Sequence, residues 1–114
     1  MMTNREVKII NLTPHEVTVV GSNGEVLAKF PPSGQVARCA VTRTAVGEIN
    51  GIPVSRNVMG EIQGLPEKSE GTIYIVSRVV AEAAKGIRDD LVIPDDSVRD
   101  HEGRIIGCKG FAVV

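Results

Sequence analysis

Residues Gly71 to Gly86, GTIYIVSRVVAEAAKG, run a continuous apolar strand straight into a short amphipathic helix with no spacer. Ser77 sits at the switch, where its hydroxyl can cap the free amides of the first turn, and Arg78 takes the first helical position. The helix read over Arg78 to Lys85 presents Val79, Val80, Ala83 and Ala84 on one face, and Gly86 supplies a left-handed stop. No second segment reads this way. An alternating βαβ array, which needs a helix between successive parallel strands, is thereby excluded.

The remaining segments read as strands. Glu6 to Ile10 is closed by Asn11-Leu12-Thr13-Pro14, and Glu16 to Val20 is linked by Gly21-Ser22-Asn23-Gly24 to Glu25 to Phe30 as a hairpin. After Pro31-Pro32-Ser33-Gly34 the pattern resumes over Gln35 to Val41 and continues past a bend over Thr42 to Ile49. Asn50-Gly51 is a type I′ turn signal before Ile52-Pro53-Val54, where Pro53 marks an edge or a short pairing. Asn57 to Ile62 and Thr72 to Val76 follow. Leu91-Val92-Ile93 ends at Pro94-Asp95-Asp96. The last hairpin joins Ser97-Val98-Arg99 to Arg104 to Val114, with Ile105, Ile106 and Phe111 expected inward. Gly107 and Gly110 signal a bulge or a close backbone approach.

Val and Ile supply 28 residues against four Leu, and such β-branched content favours pleated, half-buried surfaces. The chain of 114 residues fits one domain, residues 1 to 114, able to bury a core without staples. The expected fold is α+β: a small, mostly antiparallel β-barrel or two-layer sheet with one short helix on an open end or face. Open edges and apolar faces of so small a domain call for a partner subunit, so a homo-oligomer is expected.

A net charge of -1 from 13 basic and 14 acidic residues gives no broad field for a phosphate backbone, and Phe30, Tyr74 and Phe111 are the only aromatics. No nucleic-acid partner is expected. Arginine outnumbers lysine eight to five, and its planar fork suits phosphate or carboxylate. Cys39 and Cys108 share no metal-type spacing with His15 or His101, which points to free thiols in a reducing compartment and to no metal. Neither a signal peptide nor a run of about 20 apolar residues is present, so no membrane partner and a cytoplasmic location are expected.

The candidate ligand contacts are Thr13, His15, Tyr74, Ser77, Arg78, Arg88 and Arg99. A guanidinium beside the amides of a helix start can hold a phosphate, but capping plus a solvated arginine explains Ser77 and Arg78 equally. Arg88 and Arg99 each adjoin an aspartate, which reads either as a local ion pair locking a loop or as a ligand or subunit contact. Thr13-Pro14-His15 is a rigid polar turn whose histidine can be structural or a proton-transfer group. No Gly-x-Ser-x-Gly, His-Glu-x-x-His or P-loop pattern occurs, so no catalytic residue and no cofactor are assigned.

Four blocks, NLTPHEVTVV, GTIYIVSRVVAEA, RDDLVIPDD and VRDHEGRIIGCKG, together resemble a group of small proteins carried by bacteriophages and bacteria. In economy the group is similar to anti-defence sponges such as the Thoeris anti-defence proteins, which sequester cyclic ADP-ribose isomers at subunit interfaces. That resemblance implies arginines for a diphosphate, here Arg78, Arg88 or Arg99, and an aromatic ring for the base, Tyr74 or Phe111. The expected function is then sequestration of a small phosphorylated, nucleotide-type ligand without turnover. Its rivals are a phosphoesterase-type enzyme acting on a cyclic nucleotide and a structural or adaptor protein with no small-molecule site.

Overall fold

The computed structural model describes residues 7–114. Along the chain run β1 (Lys8–Asn11), β2 (Val17–Val20), β3 (Val26–Phe30), β4 (Arg38–Ile49), β5 (Ile52–Gln63), β6 (Thr72–Ile75), α1 (Arg78–Ala83), β7 (Leu91–Arg99) and β8 (Ile105–Ala112). Six strands make one sheet in the order β1-β6-β7-β8-β2-β3, while β4 and β5 form a separate two-stranded ribbon. Most paired residues lie in antiparallel ladders, β4 with β5 and β7 with β8 being the longest. The expected α+β fold is present in its layered form. The sheet is not a closed barrel, because β1 and β3 end the order as separate edges.

Three short pairings, β1–β6, β6–β7 and β2–β8, are parallel. β7 serves both patterns: Leu91 and Val92 run parallel to β6, whereas Ile93 to Arg99 run antiparallel to β8. The Pro94-Asp95-Asp96 sequence signals a strand end at Ile93. Instead the strand passes through it, with Asp96 in the left-handed region at φ 58° that aspartate tolerates better than most residues.

The alternation of side chains along each strand divides the apolar residues between two cores. Val17, Val19, Ile75 and Cys108 pack with Ile9, Phe30, Val92 and Phe111 on one face of the sheet, so every strand of the sheet contributes. The Phe30 and Phe111 rings meet there at 5.9 Å between centroids and 54° between planes. Tyr74 and Val76, the neighbours of Ile75, join Leu12, Leu91 and Ile93 in the second core, which α1 covers through Val80, Ala81 and Ala84. Full burial of a side chain such as Ile75 or Val80 contributes about 1.5–3 kcal/mol. The helix therefore faces inward one position later than its pattern suggests: Ala81 is buried and Val79 exposed. Ile105 and Ile106 also depart from expectation, being exposed rather than inward.

The β4–β5 ribbon packs on the second core only at its root, through Cys39 and Ile62. Ile52-Pro53-Val54 and Asn57 to Ile62, expected as two short strands, are one strand of 12 residues paired with an equally long β4. Asn50 (φ 52°) and Gly51 (φ 79°) make the tight turn between Ile49 and Ile52. Of the 24 ribbon residues only Cys39, Val54 and Ile62 are even half-buried. The radius of gyration is 17.0 Å, against about 13 Å for a compact chain of this length.

Candidate functional site

The Asn11–His15 turn is organised by Asn11, which is only 2% exposed. Its amide nitrogen donates to the carbonyls of His15 and Phe30, both at 2.8 Å, and its Oδ1 accepts from the Thr13 amide at 2.9 Å. The Thr13 hydroxyl lies 2.7 Å from Asn11 Oδ1 and 3.0 Å from the His15 carbonyl. Both polar atoms of this side chain are occupied, the bond to Phe30 tying the end of β1 to β3 and the others closing the turn. A glycan on Asn11-Leu12-Thr13 has no place in the folded protein, as its acceptor nitrogen is buried and bonded.

The candidate ligand residues fall at separate places. Thr13 belongs to this turn, and His15 is exposed at its end. Tyr74 is 4% exposed, inside the second core, with its hydroxyl 3.4 Å from the Glu67 carbonyl. Its ring has no face free for a base. Ser77 accepts the Val80 amide at 3.4 Å as the cap of α1, which spans just six residues. Arg78 lies along the helix surface against Glu82, Nε to Oε1 at 3.3 Å.

Arg88 follows the helix and closes a two-pronged pair on Asp90 at 2.9 and 2.7 Å. The Asp90 side chain is 3% exposed and that of Arg88 17%. The hydrogen bond to Asp90 raises the Arg88 pKa above the ordinary arginine value, so the guanidinium keeps its charge at any working pH. Arg99 sits at the opposite end of β7 and donates to the Gly103 carbonyl at 2.7 Å across the terminal turn. Each of the three arginines is thus spent on a local acceptor, and Arg88 and Arg99 lie toward opposite ends of one nine-residue strand. Their arrangement is that of loop locks.

A different place has the shape of a receptor. Where the ribbon leaves the body, β4, the segment before it and the start of α1 enclose an open groove of about 720 Å³. Its wall is mostly apolar, including Val36, Cys39, Val41 and Val79, with Arg38, Glu61, Gln63 and Ser77 as its polar residues. Of the expected contacts only Ser77 reaches it. Cys39 is half-buried there, its Sγ 3.3 Å from the Gly60 carbonyl, and both cysteines are free thiols.

The ribbon is the second element that the sequence does not announce as a site. Val41, Val46, Ile49, Ile52, Val58 and Met59 are 40 to 64% exposed along it. Val58 and Met59 are neighbours on one strand and so point to opposite faces, which leaves neither face covered. All four ion pairs among the described residues lie in the body: Lys68–Asp89, Arg78–Glu82, Arg88–Asp90 and Glu102–Arg104. The ribbon's Arg38, Arg43, Glu48, Arg56 and Glu61 take part in none of them. Among the described residues no helix is long and apolar enough to cross a membrane. Comparison with protein-family models, with curated proteins and with solved structures returns no match to this chain.

Proposed function

We propose that this protein acts by binding protein, as an adaptor or assembly component whose working element is the β4–β5 arm. The observation that carries this reading is the arm's exposure: a two-stranded ribbon, apolar on both faces, held away from the body with both outer edges unpaired. An isolated two-stranded hairpin is marginal in water and gains stability when further strands or a packing surface meet it. Exposed apolar surface on this scale is the usual mark of a contact site.

Shortening the arm tests the proposal. Replacing residues 43–57 with Asn-Gly keeps the Thr42–Val58 rung and closes it with the same kind of turn. The shortened protein is expected to keep its two cores, with a thermal midpoint within about 4 °C of wild type, the shift that roughly 1 kcal/mol would produce. It is also expected to lose every association the full chain makes in size-exclusion and binding experiments. Unchanged association after shortening would sink the adaptor reading.

One observation favours a second reading, in which a small phosphorylated ligand is held without turnover. Arg38 and Ser77 share the wall of the groove at the arm root, and a groove of about 720 Å³ is of small-molecule size. Thermal-shift screening with nucleotides is the measurement. A bound ligand at 100 times its dissociation constant adds about 2.7 kcal/mol, and Arg38→Ala is expected to remove that stabilisation. The resemblance to phage and bacterial proteins makes cyclic ADP-ribose isomers the first probes to try.

A further inference from the structure

We infer that the arm's occupant is a second copy of this chain, the tip of each arm seating in the groove at the root of the other. This rests on the adaptor reading above and names its partner. The tip and the groove match in chemistry. Ile49 and Ile52 form the last rung before the turn and are 63% and 64% exposed. The groove offers Val36, Val41 and Val79 to receive them. Glu48 is the only charge between Arg43 and Arg56, while the groove carries one charge of each sign, Arg38 and Glu61, so the match is one of apolar surfaces.

Both halves of the contact belong to one chain and are separated by the length of the arm, about 35 Å for ten steps along an antiparallel strand. Two arms laid side by side in opposite directions therefore bring each tip to the other's root at once. That is the self-complementary condition for a two-fold dimer, and it closes without forming a filament.

The exposed area agrees. The protein presents 8324 Å² to solvent, whereas a compact monomer of its 12.2 kDa mass presents about 6,000 Å². A stable interface covers about 800 Å² on each partner. The surplus is ample for one such contact, and the edges of β4 and β5 are not needed for it. Register shifts at Cys39/Val41 and Ala45/Gly47, with Pro53 near the tip, make those edges poor templates for strand addition. Packing of the tip into an apolar groove escapes that obstacle.

Cys39 in the groove supplies the test. In an Ile52→Cys variant treated with diamide, a disulfide is expected between the introduced thiol at the tip of one chain and Cys39 of the other. Each such bond forms as two thiols pass two electrons and two protons to the diamide. About 35 Å separates the two positions within one arm, so an intrachain bond cannot form. The expected result is a covalent dimer whose cross-linked peptides, one carrying position 52 and one carrying Cys39, are identified by mass spectrometry. Adding Cys39→Ser should abolish it. Without oxidant, light scattering should give twice the chain mass for the wild-type protein.

A monomer at all concentrations overturns the inference, as does a covalent dimer joined tip to tip through position 52 of both chains. A monomer whose arm-shortened form loses a different protein partner retracts the second copy and leaves the adaptor reading in place. A dimer that persists unchanged after arm shortening retracts both.

Discussion

At the scale of single residues, the polar groups that matter most are structural, and two of them make sharp predictions. Removing the Asn11 side chain takes the side-chain donor from the Phe30 carbonyl and the acceptor from the Thr13 amide, and leaves the His15 carbonyl to the Thr13 hydroxyl. Asn11→Ala is expected to cost about 3 kcal/mol or more, read from chemical denaturation, and Asn11→Asp to be little better because it offers no donor to the two carbonyls. Arg88→Ala leaves the Asp90 carboxylate buried without its counter-ion and should cost about 2–4 kcal/mol. An Arg88→Met, Asp90→Asn double variant should be less damaging than Arg88→Ala alone.

A third residue, Asp89, sets a pH dependence. Its hydrogen bond and charge contact with Lys68 lower its pKa below the ordinary carboxylate value. A lowered carboxylate pKa stabilises the fold above the ordinary range and loses that contribution as pH falls through it. Asp89 is fully exposed, so the contribution is small. Thermal midpoints of wild type and Asp89→Asn should therefore differ slightly at neutral pH and converge in acid; a gap that widens on acidification would contradict the assignment.

At the scale of elements, the helix, its cap and most strands can be read from the sequence, because period and turn chemistry are local. Ser77 caps α1 as its hydroxyl suggests, and Gly107 packs tightly, a Cβ there standing 3.0 Å from the Thr18 carbonyl oxygen. What the sequence conceals is pairing. Pro53 looks like the limit of a strand, yet a proline at the open edge of a ribbon costs its own ladder nothing, and β5 runs on for 12 residues. The parallel partnership of β1 with β6 joins segments distant in the chain, Lys8 standing opposite Thr72, and leaves no local trace. The candidate site is less legible still. Arginine next to aspartate is written alike whether the pair is a lock or a ligand clamp, and only the burial of Asp90 and the turn closed by Arg99 distinguish them.

The arm root is where an element-scale variant should show itself. Gly64 holds φ 80°, and a Cβ there would stand 2.4 Å from the Val36 carbonyl oxygen. Gly64→Ala is expected to cost about 3 kcal/mol, because both the left-handed backbone and the close approach must give way. Hydrogen exchange across residues 36–40 and 60–65 should quicken with it, while β8 is left unchanged.

The whole molecule measures 54 × 39 × 30 Å with a radius of gyration of 17.0 Å, and the arm is expected to supply the excess over a compact chain. Small-angle scattering of the arm-shortened protein is expected to give about 13 Å, the value for a compact chain of about 100 residues. A radius that stays near the full-length value would place the excess length elsewhere. Nothing in composition announces this extended outline, since the Val and Ile residues of the arm count toward a β core in any tally although all but Ile62 lie outside it.

The two legs of the arm are fastened where they leave the body. The Ala37 amide donates to the Leu12 carbonyl at 3.0 Å, the Gln35 side chain to the Gly64 carbonyl at 2.8 Å, and Leu65 packs on the helix-side core. A projection anchored at both feet is a cantilever and not a tether: whatever grips its far end inherits a fixed bearing relative to the sheet. A dimer closed through such an arm would have one set angle between its two bodies, dictated where the legs are fastened.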